Sequence, residues 1–309
     1  MPQSKDTQSP ANLCSPLDDQ LRLQHIQMLG THNSYHVAKP APLVKDWAYT
    51  HDPLPVQLEQ QGVRSFEFDL HHRSTAEPIA VEHVQGFDNG SSCPNLGACL
   101  QLLKTWSDAH LCHHPLVVLL ECKDELEESD VADNLLQLES EILAVWPRER
   151  LLVPDDVRGK HPSLKAALQA EGWPTLARSR GKLVLILYDK EEMGVKYRKH
   201  HPQLQGAVAF VFGEPGDADV ATVLRDNPLA ADLADLVKQR YVVRTFPEPT
   251  ELEGRAALAS GAHVVSTDFP VDRCWAPGYA LHLDGGGPSR CNPVANLPNC
   301  TTAAVNAGQ

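Results

Sequence analysis

Eight short apolar runs punctuate the chain, at residues 25–32, 63–71, 79–84, 116–124, 182–189, 207–212, 241–246 and 263–269. Each has strand length and is rich in Val, Ile, Leu and Phe. Several are nearly continuous in apolar character, as strands covered on both faces are. Helical periodicity fills many of the gaps. Residues 96–110 and 129–145 repeat apolar positions at helical spacing, the second with Ser129 as N-cap ahead of Val131, Leu135, Leu138 and Ile142. Shorter helical stretches stand at 164–170, 219–225, 229–239 and 250–260. Strands alternating with helices over this length predict an α/β fold, a single (β/α)8 TIM-type barrel. A doubly wound open sheet is the competing architecture, but no strand is followed by GxGxxG or a P-loop. The link 73–78 has no room for a helix, so the barrel is expected to be irregular there. Residues 1–309 are expected to form one catalytic domain, with the barrel over about 22–270. The remainder, 271–309, is rich in Gly, Pro, Asn and Cys and reads as a disulfide-stapled C-terminal extension.

The charge balance narrows the function. Lys and Arg total 27 against 40 Asp and Glu, a formal net charge of −13. That argues against nucleic acid, whose phosphates need a basic footprint, and against a polybasic membrane anchor. No apolar run approaches the roughly 20 residues that span a bilayer. Eight Cys are present, none in a CxxC pair or at zinc-finger spacing. Cys93 with Cys99, and Cys291 with Cys300, lie in loop-forming sequence and are expected to close as short staples; the other four Cys permit several pairings. Such usage predicts an exported protein, against the alternative of a cytosolic chain with inert buried thiols. Residues 1–12 are polar and lack the apolar core of a signal peptide.

In a barrel of this kind, chemistry collects at the C-terminal ends of the strands. Glu67 and Asp69 are separated by one residue, so on a strand both project from one face while Phe66 and Phe68 project from the other. Two carboxylates that close are costly without a positive partner. Glu121 ends another apolar run, and Asn33 adds an amide oxygen. Three carboxylates and an amide form an oxygen-rich set that suits Ca2+ or Mg2+ better than zinc. His32 and His83, both at expected strand ends, are the types of group that stabilise phosphate charge and protonate a leaving oxygen. His71 and His72 compete for the second role, and His71 shares the face of Glu67 and Asp69.

Gly30-Thr31-His32-Asn33-Ser34-Tyr35-His36, Phe66-Glu67-Phe68-Asp69-Leu70, Glu82-His83 and Leu120-Glu121-Cys122-Lys123-Asp124 together resemble the X-region pattern of phosphoinositide-specific phospholipase C. Ser266-Thr267-Asp268-Phe269-Pro270 and the segment 285–293 extend the likeness to the bacterial Ca2+-dependent branch, so that it covers roughly residues 25–300. The resemblance implies Ca2+ held by Asn33, Glu67, Asp69 and Glu121. It implies His32 as the group that stabilises the pentacovalent phosphate and His83 as the general acid. Glu67 or Glu121 would be the base for the inositol 2-hydroxyl. The implied reaction converts phosphatidylinositol to diacylglycerol and inositol 1,2-cyclic phosphate, then more slowly to inositol 1-phosphate. Lys123, Arg244, Asp268 and Asp189 are expected to bind inositol hydroxyls or phosphate. Metal-independent bacterial relatives place an Arg where these enzymes use calcium, an alternative that Glu67 and Asp69 leave without sense. Glycerophosphodiester phosphodiesterases share the barrel but typically read His-Arg-Gly where this chain reads His32-Asn33-Ser34. A secreted inositol- or lipid-binding protein without activity is the non-enzyme alternative, although binding alone needs no general acid. The expected enzyme is a secreted or periplasmic bacterial monomer. It makes transient peripheral contact with phosphatidylinositol in membranes through rim loops, with Trp47, Tyr49 and 212–215 as the candidate contacts. Few Lys or Arg lie near the expected strand ends, which favours the unphosphorylated headgroup.

Overall fold

In a computed structural model, residues 14–124, 131–188, 193–273, 278–295, 297 and 299–309 are described. In chain order the strands are β1 (Ile26–Thr31), β2 (Ser65–His71), β3 (Ala80–Val81), β4 (Leu116–Cys122), β5 (Leu183–Leu187), β6 (Phe210–Val211), β7 (Thr222–Leu224), β8 (Val242–Thr245), β9 (Val264–Thr267) and β10 (Ser289–Cys291). The helices are α1 (Leu54–Gln60), α2 (Leu96–Ala109), α3 (Val131–Val145), α4 (Pro154–Arg158), α5 (Leu164–Ala170), α6 (Leu176–Ser179), α7 (Met193–His200), α8 (Leu233–Lys238), α9 (Glu251–Ser260) and α10 (Thr302–Asn306). Hydrogen bonding runs β6-β5-β4-β2-β1-β9-β8-β7, every neighbouring pair parallel. A single parallel bridge from Phe212 to Thr222 joins the two ends, so the eight strands form a nearly closed α/β barrel of TIM type.

Two of the sequence expectations change. The run 79–84 is not a barrel strand: β3 pairs antiparallel with β2, outside the ring. The reason is the short link already noted, because a parallel neighbour needs a crossover of a dozen or more residues and a tight link allows only a hairpin. The eighth barrel strand is β7, which falls inside the stretch 219–225 read as helical. The remaining expected helices appear near their predicted places. Polar caps fix several of them: Asn95 Oδ1 accepts from the Ala98 N–H at 2.9 Å, and Ser163 Oγ from Ala166 at 3.1 Å. Ser129, the expected cap of α3, lies outside the described residues, as does Cys274.

The extension covers the N-terminal end of the barrel. β10 runs antiparallel to β1, with Cys291 opposite Ile26 and Ser289 opposite Met28. Val305 of α10 is fully buried, and its carbonyl accepts from His114 Nε2 at 2.8 Å and Arg180 Nη2 at 3.0 Å. Both expected short disulfides form, Cys93–Cys99 and Cys291–Cys300, and a third joins Cys14 to Cys112 across 98 residues. Among the described residues, no helix is long and apolar enough to cross a membrane.

Candidate active site

β2 builds the centre. Phe66 and Phe68 enter the apolar cluster that fills the barrel wall. Their alternates, Glu67 and Asp69, point into the interior and are 1 % and 0 % exposed. β4 pairs beside β2 in register, placing Glu121 opposite Asp69. Glu67, Asp69 and Glu121 thus offer carboxylate oxygens that all lie within 4.8 Å of one another. Burying three such groups together costs several kcal/mol per charge unless cations or a metal compensate. Two side-chain cations do part of this. Arg244 of β8 donates from Nη2 to Glu67 Oε2 at 2.9 Å, and also meets Asp226 and Ser266. Lys123 Nζ stands 3.1 Å from Asp69 and 2.6 Å from Glu121. The Asp69 carboxyl is still held well above the usual range, because burial and the Glu121 and Glu67 charges outweigh Lys123.

The turn after β1 brings Asn33 to the same place. Asn33 has φ 43°, a left-handed conformation that Asn tolerates better than most residues. Ser34 clamps this turn to β2, its Oγ accepting from the Glu67 N–H at 2.8 Å and its own N–H donating to the Glu67 carbonyl at 3.0 Å. With its amide nitrogen toward Asp69, Asn33 donates to that carboxylate at 3.2 and 3.3 Å and accepts from the Tyr49 hydroxyl at 3.2 Å. Turned over, its oxygen faces the carboxylates, which is favourable only with a cation between them. This donor set, three buried carboxylates and one amide oxygen with neither sulfur nor imidazole, fits a hard divalent cation.

Two histidines flank the carboxylates. His32 Nδ1 bonds Asp268 Oδ1 at 2.8 Å, its Nε2 lies 3.9 Å from Glu67 Oε1, and its ring packs on Phe246 at 4.5 Å. Burial works against the His32 imidazolium, but the two carboxylates prevail and raise its pKa to about 9. His83 Nδ1 bonds Asp88 Oδ2 at 2.8 Å, and the same oxygen bonds His36 Nε2 at 2.9 Å. Trp47 meets the His83 ring edge-on at 5.4 Å. Burial lowers the His83 pKa, partly countered by the bond to Asp88. His32, His83, Trp47, Tyr49, Phe246 and Asp268 all line one cleft of about 680 Å3. That volume suits a small polar ligand.

Of the expected site residues, the structure brings Asn33, Glu67, Asp69, Glu121, Lys123 and Arg244 into one cluster, with His32, His83 and Asp268 on the adjoining cleft. Asp189 lies outside the described residues. His71 is absent from the cleft wall; its Nδ1 is taken by Asp124 Oδ1 at 3.0 Å. Tyr49 and Phe212 are 5 % and 3 % exposed, which removes them as membrane contacts. Asp88 and His36 as partners of His83 escaped the sequence reading. Asp88 follows His83 by five residues in a loop without periodicity, so no pattern marks it.

A TIM-type barrel with a buried carboxylate trio and two cleft histidines defines a metal-assisted phosphodiesterase class. The family model for Ca2+-dependent phosphoinositide phospholipase C matches residues 21–78 and 72–293, and the chain belongs to that family. Among solved structures, the chain is similar to the calcium-dependent phosphoinositol-specific phospholipase C of a Gram-negative Pseudomonas species, crystallised with myo-inositol (TM-score 0.67, 19 % identity, 92 % of this chain and 100 % of that one). It is also similar to the Ca2+-dependent enzyme of Streptomyces antibioticus (TM-score 0.64, 19 % identity, 81 % and 95 %). The phosphatidylinositol-specific phospholipase C of Listeria monocytogenes shares the fold at a TM-score of 0.50 and 14 % identity, over 84 % and 93 % of the two chains. No curated protein matches the sequence significantly.

Proposed function

We propose that the chain, as one catalytic unit over residues 1–309, cleaves phosphatidylinositol by intramolecular attack of the inositol 2-hydroxyl. The carrying observation is the buried trio Glu67, Asp69 and Glu121 lying directly behind a cleft walled by His32 and His83, with Asn33 lining that cleft beside Asp69 and His32 reaching Glu67 at 3.9 Å. These carboxylates and Asn33 would hold the Ca2+ on which the family depends. Bound calcium supplies a Lewis acid that lowers the pKa of the 2-hydroxyl and offsets phosphate charge.

The protein groups do the rest. Glu67 or Glu121 takes the 2-hydroxyl proton. The hydroxyl oxygen bonds to the adjacent phosphorus, a step helped by proximity within one ring. His32, kept cationic by Asp268 and Glu67, stabilises the non-bridging oxygens. The bond from phosphorus to the glycerol oxygen breaks, and His83 gives that oxygen its proton. Diacylglycerol and inositol 1,2-cyclic phosphate result, and attack by water then opens the ring to inositol 1-phosphate. Asp88 aims the His83 ring. Lys123, Arg244, Asp268 and Asp189 remain the proposed ligands of hydroxyls and phosphate, Arg244 and Asp268 also through their bonds to Glu67 and His32. Among the described residues, Lys45 is the one Lys or Arg that lines the cleft, which supports an unphosphorylated headgroup.

The lipid reaches the cleft from a membrane. Leu43, Val44 and Phe87 are 71 %, 40 % and 62 % exposed. They sit on two loops tied together beside the cleft, where Val37 N–H donates to the Gly90 carbonyl at 3.1 Å and Lys39 Nζ to the Gly86 carbonyl at 3.2 Å. These side chains, with Trp47, replace Tyr49 and Phe212 in the rim that touches lipid; Gly213, Glu214 and Pro215 remain part of the proposal. A net charge of −13 keeps that contact brief on anionic surfaces. The disulfides support a secreted or periplasmic bacterial enzyme, acting as a monomer.

The test is turnover of phosphatidylinositol vesicles with and without chelator. Activity should vanish with chelator and return with Ca2+, and phosphorus NMR should show a five-membered cyclic phosphate. Metal-independent turnover would overturn the calcium assignment, and preference for a glycerophosphodiester would overturn the lipid assignment.

A further inference from the structure

We infer that Lys123 is a built-in competitor for calcium, and that it couples calcium affinity to the presence of an anionic headgroup. This rests on the calcium site proposed above. Lys123 Nζ lies 3.1 Å from Asp69 Oδ2 and 2.6 Å from Glu121 Oε1, so one ammonium bridges two of the three carboxylates. The two sides of this contact differ in freedom. Asp69 and Glu121 are fixed on paired strands and are 0 % and 4 % exposed. The Lys123 side chain is 24 % exposed and hangs from the end of β4 on a flexible four-carbon stem.

Calcium approaches its oxygen ligands to about 2.3–2.6 Å. Sharing the oxygens that Lys123 touches, it would stand within about 5 Å of the ammonium, where like charges in a partly buried site repel. The two cations therefore exclude each other, and the ammonium is the one with a path to solvent. Lys123 stabilises the trio when calcium is absent and weakens calcium binding by the same interaction. An anion beside the cluster gives the displaced ammonium a new partner. The phosphate of an inositol headgroup, placed against the calcium for the reaction, is such an anion. Calcium and headgroup should then strengthen each other's binding reciprocally, and the enzyme would load metal most readily where substrate is at hand.

Calorimetric titration of the chelator-stripped protein with Ca2+ reads this directly, alongside thermal melting in chelator. Lys123→Met should bind Ca2+ roughly tenfold or more tightly than wild type, and should melt at a lower temperature in chelator. Lys123→Arg, which keeps the charge, should retain weak binding. Adding myo-inositol 1-phosphate should tighten Ca2+ binding to the wild type by a larger factor than to Lys123→Met, which keeps only the direct attraction between calcium and phosphate. The wild-type arm stands even if the Met variant folds poorly. Equal calcium affinity in all three proteins, or the same tightening by the inositol phosphate in the wild type and Lys123→Met, overturns the role of Lys123. Failure of every variant and the wild type to bind calcium overturns the proposed metal site itself, and the inference with it.

Discussion

At the N-terminal end of the barrel, His263 accepts the Val243 N–H at Nδ1 (3.0 Å) and donates from Nε2 to the Gln24 carbonyl (3.0 Å). His114, at the same end, accepts from the Gln309 amide at Nδ1 (2.6 Å) and donates from Nε2 to the Val305 carbonyl (2.8 Å). Each ring has one donor and one acceptor as partners, which only a neutral imidazole satisfies. Burial lowers the His263 pKa to about 4 and carries that of His114 well below the usual value. At the other end, His32 faces two acceptors, Asp268 and Glu67, and its pKa rises to about 9 against the pull of burial. The comparison separates two effects that are easily merged. Burial alone drives a histidine neutral; the partners decide whether it stays so. One end of the barrel uses histidines as neutral braces, and the other keeps one charged beside a cleft.

The contrast can be broken most severely at the cleft. His32→Ala and His83→Ala should each lower kcat on phosphatidylinositol by on the order of a hundredfold or more, while His71→Ala should stay within a few-fold. A reversed ranking of His83 and His71 in steady-state assays would move the general acid to His71. Asp88→Asn should cost roughly tenfold, with the alkaline limb of the kcat profile displaced to lower pH, because it disturbs the aim of His83 and removes a partner that raises its pKa. An unmoved profile would reduce Asp88 to a structural bond.

The braces give the next largest effect. The folded pKa of His263 lies at about 4 and that of His114 lies well below the usual value, both under the unfolded value of 6.5. Below pH 6.5 the unfolded chain therefore binds protons that the folded chain refuses. Stability should fall as pH drops from 6.5 toward 4, by up to about 1.4 kcal/mol per pH unit for each such ring. Urea unfolding between pH 7 and 5 measures this slope, and a flat profile would mean that the braces take up protons while folded. The smallest effect is expected at the rim. Leu43→Asp with Phe87→Asp should raise the apparent KM on vesicles a few-fold and leave cleavage of a soluble short-chain substrate unchanged. Equal losses on both substrates would place these side chains in the cleft's function and not at a membrane.

Much of this was legible before any coordinates. Glu67 and Asp69 announce a common face by their spacing, and Glu121 repeats the anomaly of an acid ending an apolar run. β2, β4 and β5 read clearly because strands buried on both faces carry little else but apolar residues. β7 did not, since Thr222–Leu224 is only three residues long and lies between charged positions that mimic helical spacing. The run 79–84 had the composition of a strand, yet its partner and direction depended on the length of the preceding link. The bridging of His36 and His83 by Asp88 is a tertiary fact that no local pattern encodes. The same holds for the bond of His32 to a residue 236 positions away. Tyr49 suggested membrane contact as an aromatic in a loop, but its hydroxyl serves Asn33 and its ring lies inside.

The pairing of β10 with β1 bears on the order in which this chain can be made. β1 leads directly into the turn that presents His32 and Asn33; it pairs with β2 and also with β9 and β10, the last strands to be synthesised. A nascent chain emerging from its N-terminus can form the Cys93–Cys99 link and the β2–β4 pair early. It can lay its first strand against β2, but it cannot complete that strand's other side, or give His32 its partner Asp268, until nearly everything else has followed. Premature termination anywhere before β9 would leave a phospholipase without a working cleft, so competence arrives in one late step and not by degrees.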